Sequence, residues 1–96
     1  MIIRIVKMTF EPARIEMFLD IFNKSRNEIA SMPGCLYLEL WKDVDCPNSY
    51  VTHSHWESVE ALDAYRESAF FRKIWKETKA LFIEKPVAFS VERVSV

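Results

Sequence analysis

Two histidines are the residues of this chain best suited to acid–base chemistry near neutral pH. His53 and His55 are the only histidines, and they stand two residues apart in the segment SYVTHSHWE, residues 49–57. Side chains two residues apart in a strand share one face, with their β-carbons about 7 Å apart. Either imidazole could act as a general base. A metal site would need a third ligand, which no spacing indicates. The alternative role is the polar part of a subunit interface.

The opposite face of the same segment carries Thr52, Ser54 and Trp56, because side chains alternate along a strand. Tyr65 and Trp75 follow in the next segment, which has helical periodicity. The pattern assigns Trp56, Tyr65 and Trp75 no definite core position. These three aromatic residues therefore mark the place where a pocket is expected.

The composition indicates one small globular domain spanning residues 1–96. The chain is 50% hydrophobic and 28% charged, which excludes disorder. Thirteen basic residues face 14 acidic ones without a basic block, so nucleic-acid binding is disfavoured. No apolar run reaches the ~18 residues of a membrane span, and the single glycine excludes a glycine-rich phosphate loop. Thirteen aromatic residues in a chain of this size indicate extra burial against a partner subunit, a ligand, or both.

Two cysteines, Cys35 and Cys46, lack the spacing of a metal or thioredoxin-type motif. A strand over residues 35–43 would hold them roughly 25 Å apart, at ~3.3 Å per residue, whereas a disulfide needs less than about 7 Å. Reduced thiols are typical of the cytosol. The first residues also lack the basic-then-apolar form of a signal peptide. The expected location is the cytoplasm.

Apolar periodicity and breaker residues divide the chain into six segments. Pro12 suits the first turn of a helix, and Met32-Pro33-Gly34 ends that helix. Ser68 could cap a second segment, so the later helical region is expected to break near 67–69. The predicted strands are 2–10, 35–43, 49–57 and 87–94, and the predicted helical regions run from Pro12 to about residue 32 and from about 59 to 82. This β-α-β-β-α-β order predicts an α+β, ferredoxin-like fold with one antiparallel sheet and both helices on one face.

Both faces of this sheet are mostly apolar, although the helices can cover only one. In strand 2, for example, Cys35, Tyr37 and Trp41 oppose Leu36 and Leu38. An exposed apolar face of this kind marks an interface. We therefore expect a homodimer in which two sheets pack face to face about a twofold axis.

The sequence resembles the antibiotic biosynthesis monooxygenase (ABM) family along essentially its whole length. The resemblance rests on IRIVKMTF in strand 1, on PGCL at the start of strand 2, and on Trp56-Glu57-Ser58 followed by Glu60-Ala61-Leu62. It implies a dimeric α+β barrel, with a pocket between the sheet and the helices of each subunit. Well-understood members oxidise polycyclic phenols or quinols with molecular oxygen and without metal or flavin, and others degrade haem.

The resemblance also implies roles for three residues. Trp56 matches a family tryptophan that lines the substrate cavity, although it could instead be a core residue that anchors the second helix. Thr52 stands where a member of the cofactor-free type has asparagine. Tyr65 stands where many members have histidine, and its hydroxyl could bond a phenol or quinone oxygen, although its reference pKa of ~10 makes it a poor base.

Trp75 stands where haem-degrading relatives carry their axial histidine, and tryptophan cannot ligate iron. Ile3 and Tyr65 stand near the positions of their asparagine and tryptophan. Because all three positions differ, the resemblance disfavours haem degradation of that type, and Trp75 is expected in the core or in the pocket wall.

Three functions follow as hypotheses. The first is a cofactor-independent monooxygenase for an aromatic, quinol-like molecule, with His53 and Tyr65 as catalytic candidates and Trp56, Thr52 and Trp75 as substrate-binding ones. The second is a dimer that binds an apolar or aromatic small molecule without chemistry, and the third is a haem protein. Arg4, on an otherwise apolar strand, is expected in an ion pair; if it is unpaired and faces the pocket, it could hold an acidic substrate oxygen.

Overall fold

Four strands and three α-helices make up the computed structural model, which describes residues 1–95. The strands are β1 (Ile2–Thr9), β2 (Cys35–Lys42), β3 (Ser49–Trp56) and β4 (Val87–Val91), and the helices are α1 (Ile15–Ala30), α2 (Val59–Glu67) and α3 (Ala69–Lys79). The strands form one antiparallel sheet in the order β2-β3-β1-β4. The predicted α+β, ferredoxin-like fold is therefore confirmed.

Ser68 divides the second helical region, as the sequence predicts. Its backbone N–H donates to the Tyr65 carbonyl at 3.0 Å and so closes α2. Its hydroxyl oxygen accepts a hydrogen bond from the Phe71 N–H at 3.1 Å, which caps the start of α3. One serine thus ends one helix and begins the next, because its extended backbone (ψ 150°) interrupts the helical path.

Three predicted boundaries were wrong, one of them the end of the second helical region, which was expected near residue 82 and lies at Lys79. The first helix opens with a 3₁₀ turn over Pro12–Arg14 and becomes α-helical only at Ile15. Strand β4 ends at Val91, not at residue 94. Val91 pairs with Ile3, the second residue of β1, so almost no β1 backbone remains to pair with a longer β4.

The predicted faces of β2 were wrong at its start. Cys35 pairs with Trp56, and Tyr37 pairs with His55, so Leu36 is an extra residue in a β-bulge. The bulge moves Cys35 to the face of the sheet that Trp56 occupies. Leu36 is left 56% exposed.

The hydrophobic core lies between the sheet and the helices. Its buried residues are Met8, Phe10, Phe18, Phe22 and Leu81. The rings of Phe10 and Phe18 stack with their centroids 4.1 Å apart, which joins the end of β1 to the first turn of α1. Helix α1, 16 residues long and amphipathic, is the longest helix, and no helix within residues 1–95 could span a membrane.

The opposite side of the sheet, which we call the open sheet face, has no helix over it. The register places its side chains in three rows across the four strands. Strands β2 and β3 supply mainly aromatic and polar groups, and β1 and β4 supply mainly aliphatic ones. The rows are Tyr37–His55–Ile3–Val91, Glu39–His53–Ile5–Phe89 and Trp41–Val51–Lys7–Val87.

Candidate functional site

A cavity of about 100 Å³, here called the inner cavity, lies between the covered face of the sheet and the helices. Its apolar wall includes Val6 and Leu38 from the sheet, Phe22 and Ile29 from α1, and Leu62 from α2. Pockets for drug-sized ligands measure about 300–1,000 Å³. A dry engineered cavity of about 150 Å³ accepts benzene. The inner cavity at rest therefore has room for no more than about one aromatic ring.

Trp56 and Tyr65 form one wall of the inner cavity. Their rings stack with centroids 4.9 Å apart and planes inclined by 20°. Trp56 is the last residue of β3 and is only 1% exposed, and its indole N–H donates to the Ser54 hydroxyl at 3.0 Å. Tyr65 also packs edge to face with Phe71 of α3 at a centroid distance of 5.0 Å. This aromatic wall therefore joins the sheet to both halves of the second helical region.

Thr52 and Ser54 line the same cavity from the middle of β3. Strand alternation places them beside Trp56, as the sequence predicts. Ser54 already accepts the hydrogen bond from Trp56, so its hydroxyl orients the indole. The three predicted residues Thr52, Trp56 and Tyr65 are thus brought together around one space.

Burial raises the pKa of Tyr65 well above its usual value of 10, and the nearby Cys35 thiol adds to this shift. The hydroxyl is consequently neutral across the physiological pH range. A neutral phenol can donate a hydrogen bond to a developing oxyanion, but it cannot accept a proton as a general base.

Two arginines give the inner cavity a positive end. Arg4 of β1 and Arg66 of α2 both line it. Partial burial and the charge of Arg66 lower the pKa of Arg4, and Asp63 opposes this shift. Sequence reasoning missed Arg66. The signal for it is the spacing of Leu62, Tyr65 and Arg66, since residues at i, i+3 and i+4 share one face of a helix.

His53 and His55 lie on the open sheet face, on the far side of the sheet from the inner cavity. Their Nε2 atoms are 3.2 Å apart and share a hydrogen bond. The His53 ring packs on Trp41 at a centroid distance of 4.2 Å, and its buried Nδ1 has no hydrogen-bond partner within residues 1–95. Burial and the neighbouring His55 lower the pKa of His53, while Glu39 opposes this shift. The catalytic role of His53 stays a prediction, and no histidine is among the residues lining the cavity.

Trp75 also lies outside the inner cavity. It packs against Phe71 (5.9 Å between centroids) and Phe82 (5.6 Å), at the edge of the core. It lines a separate, shallow surface groove together with Lys76 and Lys79. Its predicted role in substrate binding stays a prediction.

The inner cavity does not suit haem or a metal ion. It offers no imidazole to an iron, and about 100 Å³ is too small for a porphyrin. Within residues 1–95, no three side chains of histidine, cysteine, aspartate or glutamate cluster as metal ligands do.

Several solved structures share this fold. The solved structure of an antibiotic biosynthesis monooxygenase superposes with a TM-score of 0.91 at 20% identity, covering 99% of this chain and 100% of that one. A conserved protein from Methanosarcina mazei Go1 gives 0.90 at 17% identity, covering 97% of this chain and 93% of that one. Rv0793 from Mycobacterium tuberculosis gives 0.89 at 15% identity, covering 99% and 96%.

At these identities the structural matches establish the fold alone. No curated protein matches the sequence. The sequence model of one family, described as antibiotic biosynthesis monooxygenase, matches residues 1–77, which is most of the chain. The protein therefore belongs to the antibiotic biosynthesis monooxygenase family.

Proposed function

We propose that this protein is a cofactor-independent monooxygenase for an aromatic, quinol-like small molecule, and that the inner cavity is its substrate site. The observation that carries the proposal is the stacked wall of Trp56 and Tyr65 beside an apolar space. Aromatic pairs favour flat ligands, and each stacking contact adds about 0.5–1.5 kcal/mol beyond the buried area. Family membership supports the monooxygenase-like chemistry.

The reaction would use the electrons of the substrate itself. A quinol and one O₂ give a hydroxyquinone and one water: one oxygen atom forms the new C–O bond, and the other leaves with two hydrogens taken from the substrate. The substrate supplies all four electrons that O₂ accepts. The protein then needs to position the ring, exclude water and stabilise the substrate anion.

Tyr65 is the residue that suits anion stabilisation. Because its pKa is raised by burial, it keeps its proton and can donate a hydrogen bond to the phenolate oxygen. The lining includes no group that titrates near neutrality, so the substrate would ionise according to its own acidity. Trp56 would hold the face of the substrate ring, and Thr52 would hold one of its edges. A substrate larger than one ring would require the wall of Trp56 and Tyr65 to move outward.

The second part of the proposal is that the working unit is a homodimer formed through the open sheet face. Phe89, Val87 and Val91 of β4 are each more than two-fifths exposed, and every residue of β4 is exposed. Exposed apolar surface of this extent is typical of an interface. A second copy would cover it by sheet-to-sheet packing, about 10 Å apart.

The two thiols support the expected location. Cys35 and Cys46 are both free. A reducing compartment keeps thiols in this state, so we propose that the protein acts in the cytoplasm.

Oxygen consumption by the purified apoprotein with a panel of quinols tests the enzyme proposal. Uptake above the buffer rate is expected, together with a hydroxylated quinone by mass spectrometry. Tyr65→Phe should lower the rate, and Tyr50→Phe is the matched control because Tyr50 does not line the inner cavity. Uptake no faster than in buffer across a broad panel would count against an oxygenase.

One observation favours a second candidate, a dimer that binds an aromatic ligand without chemistry. No residue of the inner cavity can act as a base near neutral pH, and a site that only binds its ligand needs no base. Recovery of a bound quinol unchanged after aerobic incubation would support this second function. A haem protein is the least supported of the three, and haem titration without a Soret band would remove it.

A further inference from the structure

The inner cavity has a pair of positive charges to which the proposed reaction assigns no role. Arg4 projects from the covered face of β1, and Arg66 projects from α2 beside Tyr65. Within residues 1–95, neither guanidinium has a carboxylate oxygen within 4 Å, since the two ion pairs there are Lys7–Asp43 and Arg14–Glu11. A partly buried arginine such as Arg4 is normally paired with an anion.

Arg4 is held in place by neutral partners. The register puts Ser54 of β3 on one side of it and Ser90 of β4 on the other. Its Nη1 donates to the Ser90 hydroxyl at 3.2 Å. A single neutral acceptor leaves most of the five N–H donors of a guanidinium available for a ligand.

We propose that the ligand of the inner cavity is a small aromatic acid: one ring that carries a carboxylate, with the carboxylate bound by Arg4 and Arg66. This inference rests on the proposed function, whose substrate class it narrows from quinols in general to quinol-like acids. The planar fork of arginine matches a carboxylate with two parallel hydrogen bonds. A bound carboxylate would also offset the repulsion between the two positively charged guanidinium groups.

The register of the sheet places Arg4 near the aromatic wall. Arg4 pairs with Ser54, and Trp56 lies two residues further along the same face of β3. Such diagonal neighbours are about 7–8 Å apart. A ring attached to a carboxylate at Arg4 is therefore within reach of the stack of Trp56 and Tyr65.

The size of the inner cavity limits the buried part of the ligand to no more than one ring. Its volume of about 100 Å³ is smaller than the ~150 Å³ of a cavity known to accept benzene. The hydrogen bond between Arg4 and Ser90 is exposed to solvent. The carboxylate can therefore remain near solvent while the ring fills the apolar space.

Three probes separate the contribution of the charge from that of the ring. Gentisate (2,5-dihydroxybenzoate) is a quinol with a carboxylate, hydroquinone is the matching neutral quinol, and benzoate has the carboxylate without the quinol. Binding is measured anaerobically by calorimetry, with quenching of tryptophan fluorescence as a second readout. We expect gentisate to bind at least tenfold more tightly than hydroquinone, because a hydrogen-bonded charge pair has that strength.

Arginine variants show whether the preference comes from this site. Arg4→Gln should reduce gentisate affinity about tenfold or more while hydroquinone affinity stays the same, and Arg66→Gln should have a smaller effect because Arg66 is more exposed. Arg4→Lys should retain part of the preference, since it keeps the charge and loses the fork. Arg72→Gln, on α3 and outside the cavity lining, is the matched control and should change neither affinity.

The outcomes separate this inference from the proposed function. Arginine-dependent gentisate binding without oxygen uptake supports the acid site and overturns the oxygenase. Oxygen uptake with hydroquinone and no preference for gentisate supports the oxygenase and overturns the acid site. A preference that persists in folded Arg4→Gln, as judged by circular dichroism, also overturns the acid site, because the anion must then be bound elsewhere.

Discussion

The indole of Trp56 lies flat against the phenol ring of Tyr65, 4.9 Å between centroids, and joins the end of β3 to the last turn of α2. The edge of the indole is fixed as well, because its N–H donates a hydrogen bond to Ser54 within the sheet. Helix α2 is therefore held over the inner cavity by an aromatic contact whose orientation the sheet determines. Stability and access to the cavity are both expected to depend on this pair.

Removing the indole should destabilise the fold strongly. Trp56→Ala is expected to lower the free energy of unfolding by about 3–5 kcal/mol, because a side chain that is 1% exposed leaves a large void. Trp75→Ala, at the partly exposed edge of the core, should cost less. Urea denaturation followed by circular dichroism measures both. Equal losses in the two variants would show that Trp56 is not the main link between β3 and α2.

Removing only the hydroxyl of Tyr65 should separate its chemistry from its packing. Tyr65→Phe keeps the stack, so the free energy of unfolding should change by less than about 1.5 kcal/mol. Quinol oxidation should slow by about tenfold or more if the hydroxyl stabilises the phenolate. The pH dependence of the rate should keep its shape, because the raised pKa of Tyr65 leaves it protonated at every pH below 10. A shift of the acidic limb in Tyr65→Phe would mean that Tyr65 acts as a base after all.

The sequence contained enough information for the fold and for one wall of the site. Strand alternation placed Thr52, Ser54 and Trp56 on one face, and Ser68 marked the break between α2 and α3 because an N-cap residue has a local signature. Tyr65 could be assigned to the pocket through family resemblance. All of these features depend on near neighbours in sequence or on a regular repeat.

The features that the sequence did not reveal depend on exceptions to a repeat or on distant packing. The bulge at Leu36 reverses the face of Cys35, and no local pattern distinguishes an extra residue from a regular one. Arg66 looks like a solvent-facing charge until the helix is placed over Arg4 of β1. The packing of the whole core decides which face of a helix lies over which strand. The two arginines at the polar end of the cavity could therefore be identified only from the structure.

The histidine pair should make stability fall on the acidic side of neutrality. The pKa of folded His53 lies below the usual 6.5, because burial and His55 disfavour its charged form more than Glu39 favours it. As the pH drops below about 6.5, the unfolded chain therefore binds a proton more readily than the folded one, and the free energy of unfolding decreases. Tyr37, which also contacts the His53 ring, has a raised pKa and does not titrate in this range.

Urea denaturation between pH 5 and 8 measures this dependence. His53→Gln should flatten the decrease, and His55→Gln should reduce it, because His55 then no longer lowers the pKa of His53. A slope for His53→Gln that matches the wild-type slope would assign the pH dependence to other groups.

A charge in the middle of the open sheet face should separate the proposed dimer. Phe89 is 46% exposed in one chain and shares a row with Ile5 and His53. Phe89→Glu would bury an unpaired carboxylate between two sheets, which is strongly unfavourable. Light scattering coupled to size-exclusion chromatography should give about twice 11.4 kDa for the wild type and 11.4 kDa for the variant. Val44→Glu, at a loop residue that is 96% exposed, is the control and should remain dimeric. A monomeric wild type at tens of micromolar would contradict the dimer.

Gly34 should be required for the approach of α2 to the sheet. It is the one glycine of the chain, with φ at +85°, and its carbonyl accepts the Glu57 N–H at 2.8 Å. A β-carbon built at this position would lie 2.5 Å from the Ala61 β-carbon of α2. Gly34→Ala is therefore expected to lower the free energy of unfolding by about 1–3 kcal/mol because of the left-handed backbone. The clash should lower it further and should also displace α2 and Tyr65.

A double-mutant cycle separates these two costs. Ala61→Gly alone should lose about 1 kcal/mol as a glycine inside a helix, but it removes the atom that the new β-carbon of Gly34→Ala would meet. Gly34→Ala should then cost less in the Ala61→Gly background than in the wild type, and the difference measures the clash. The same cost in both backgrounds would mean that the backbone conformation alone requires the glycine. Suppose instead that the loss of stability caused by Gly34→Ala is smaller in the Ala61→Gly background and that Tyr65-dependent quinol binding recovers. The contact of Gly34 with Ala61 then sets the distance of α2 from the sheet, and thereby the width of the inner cavity.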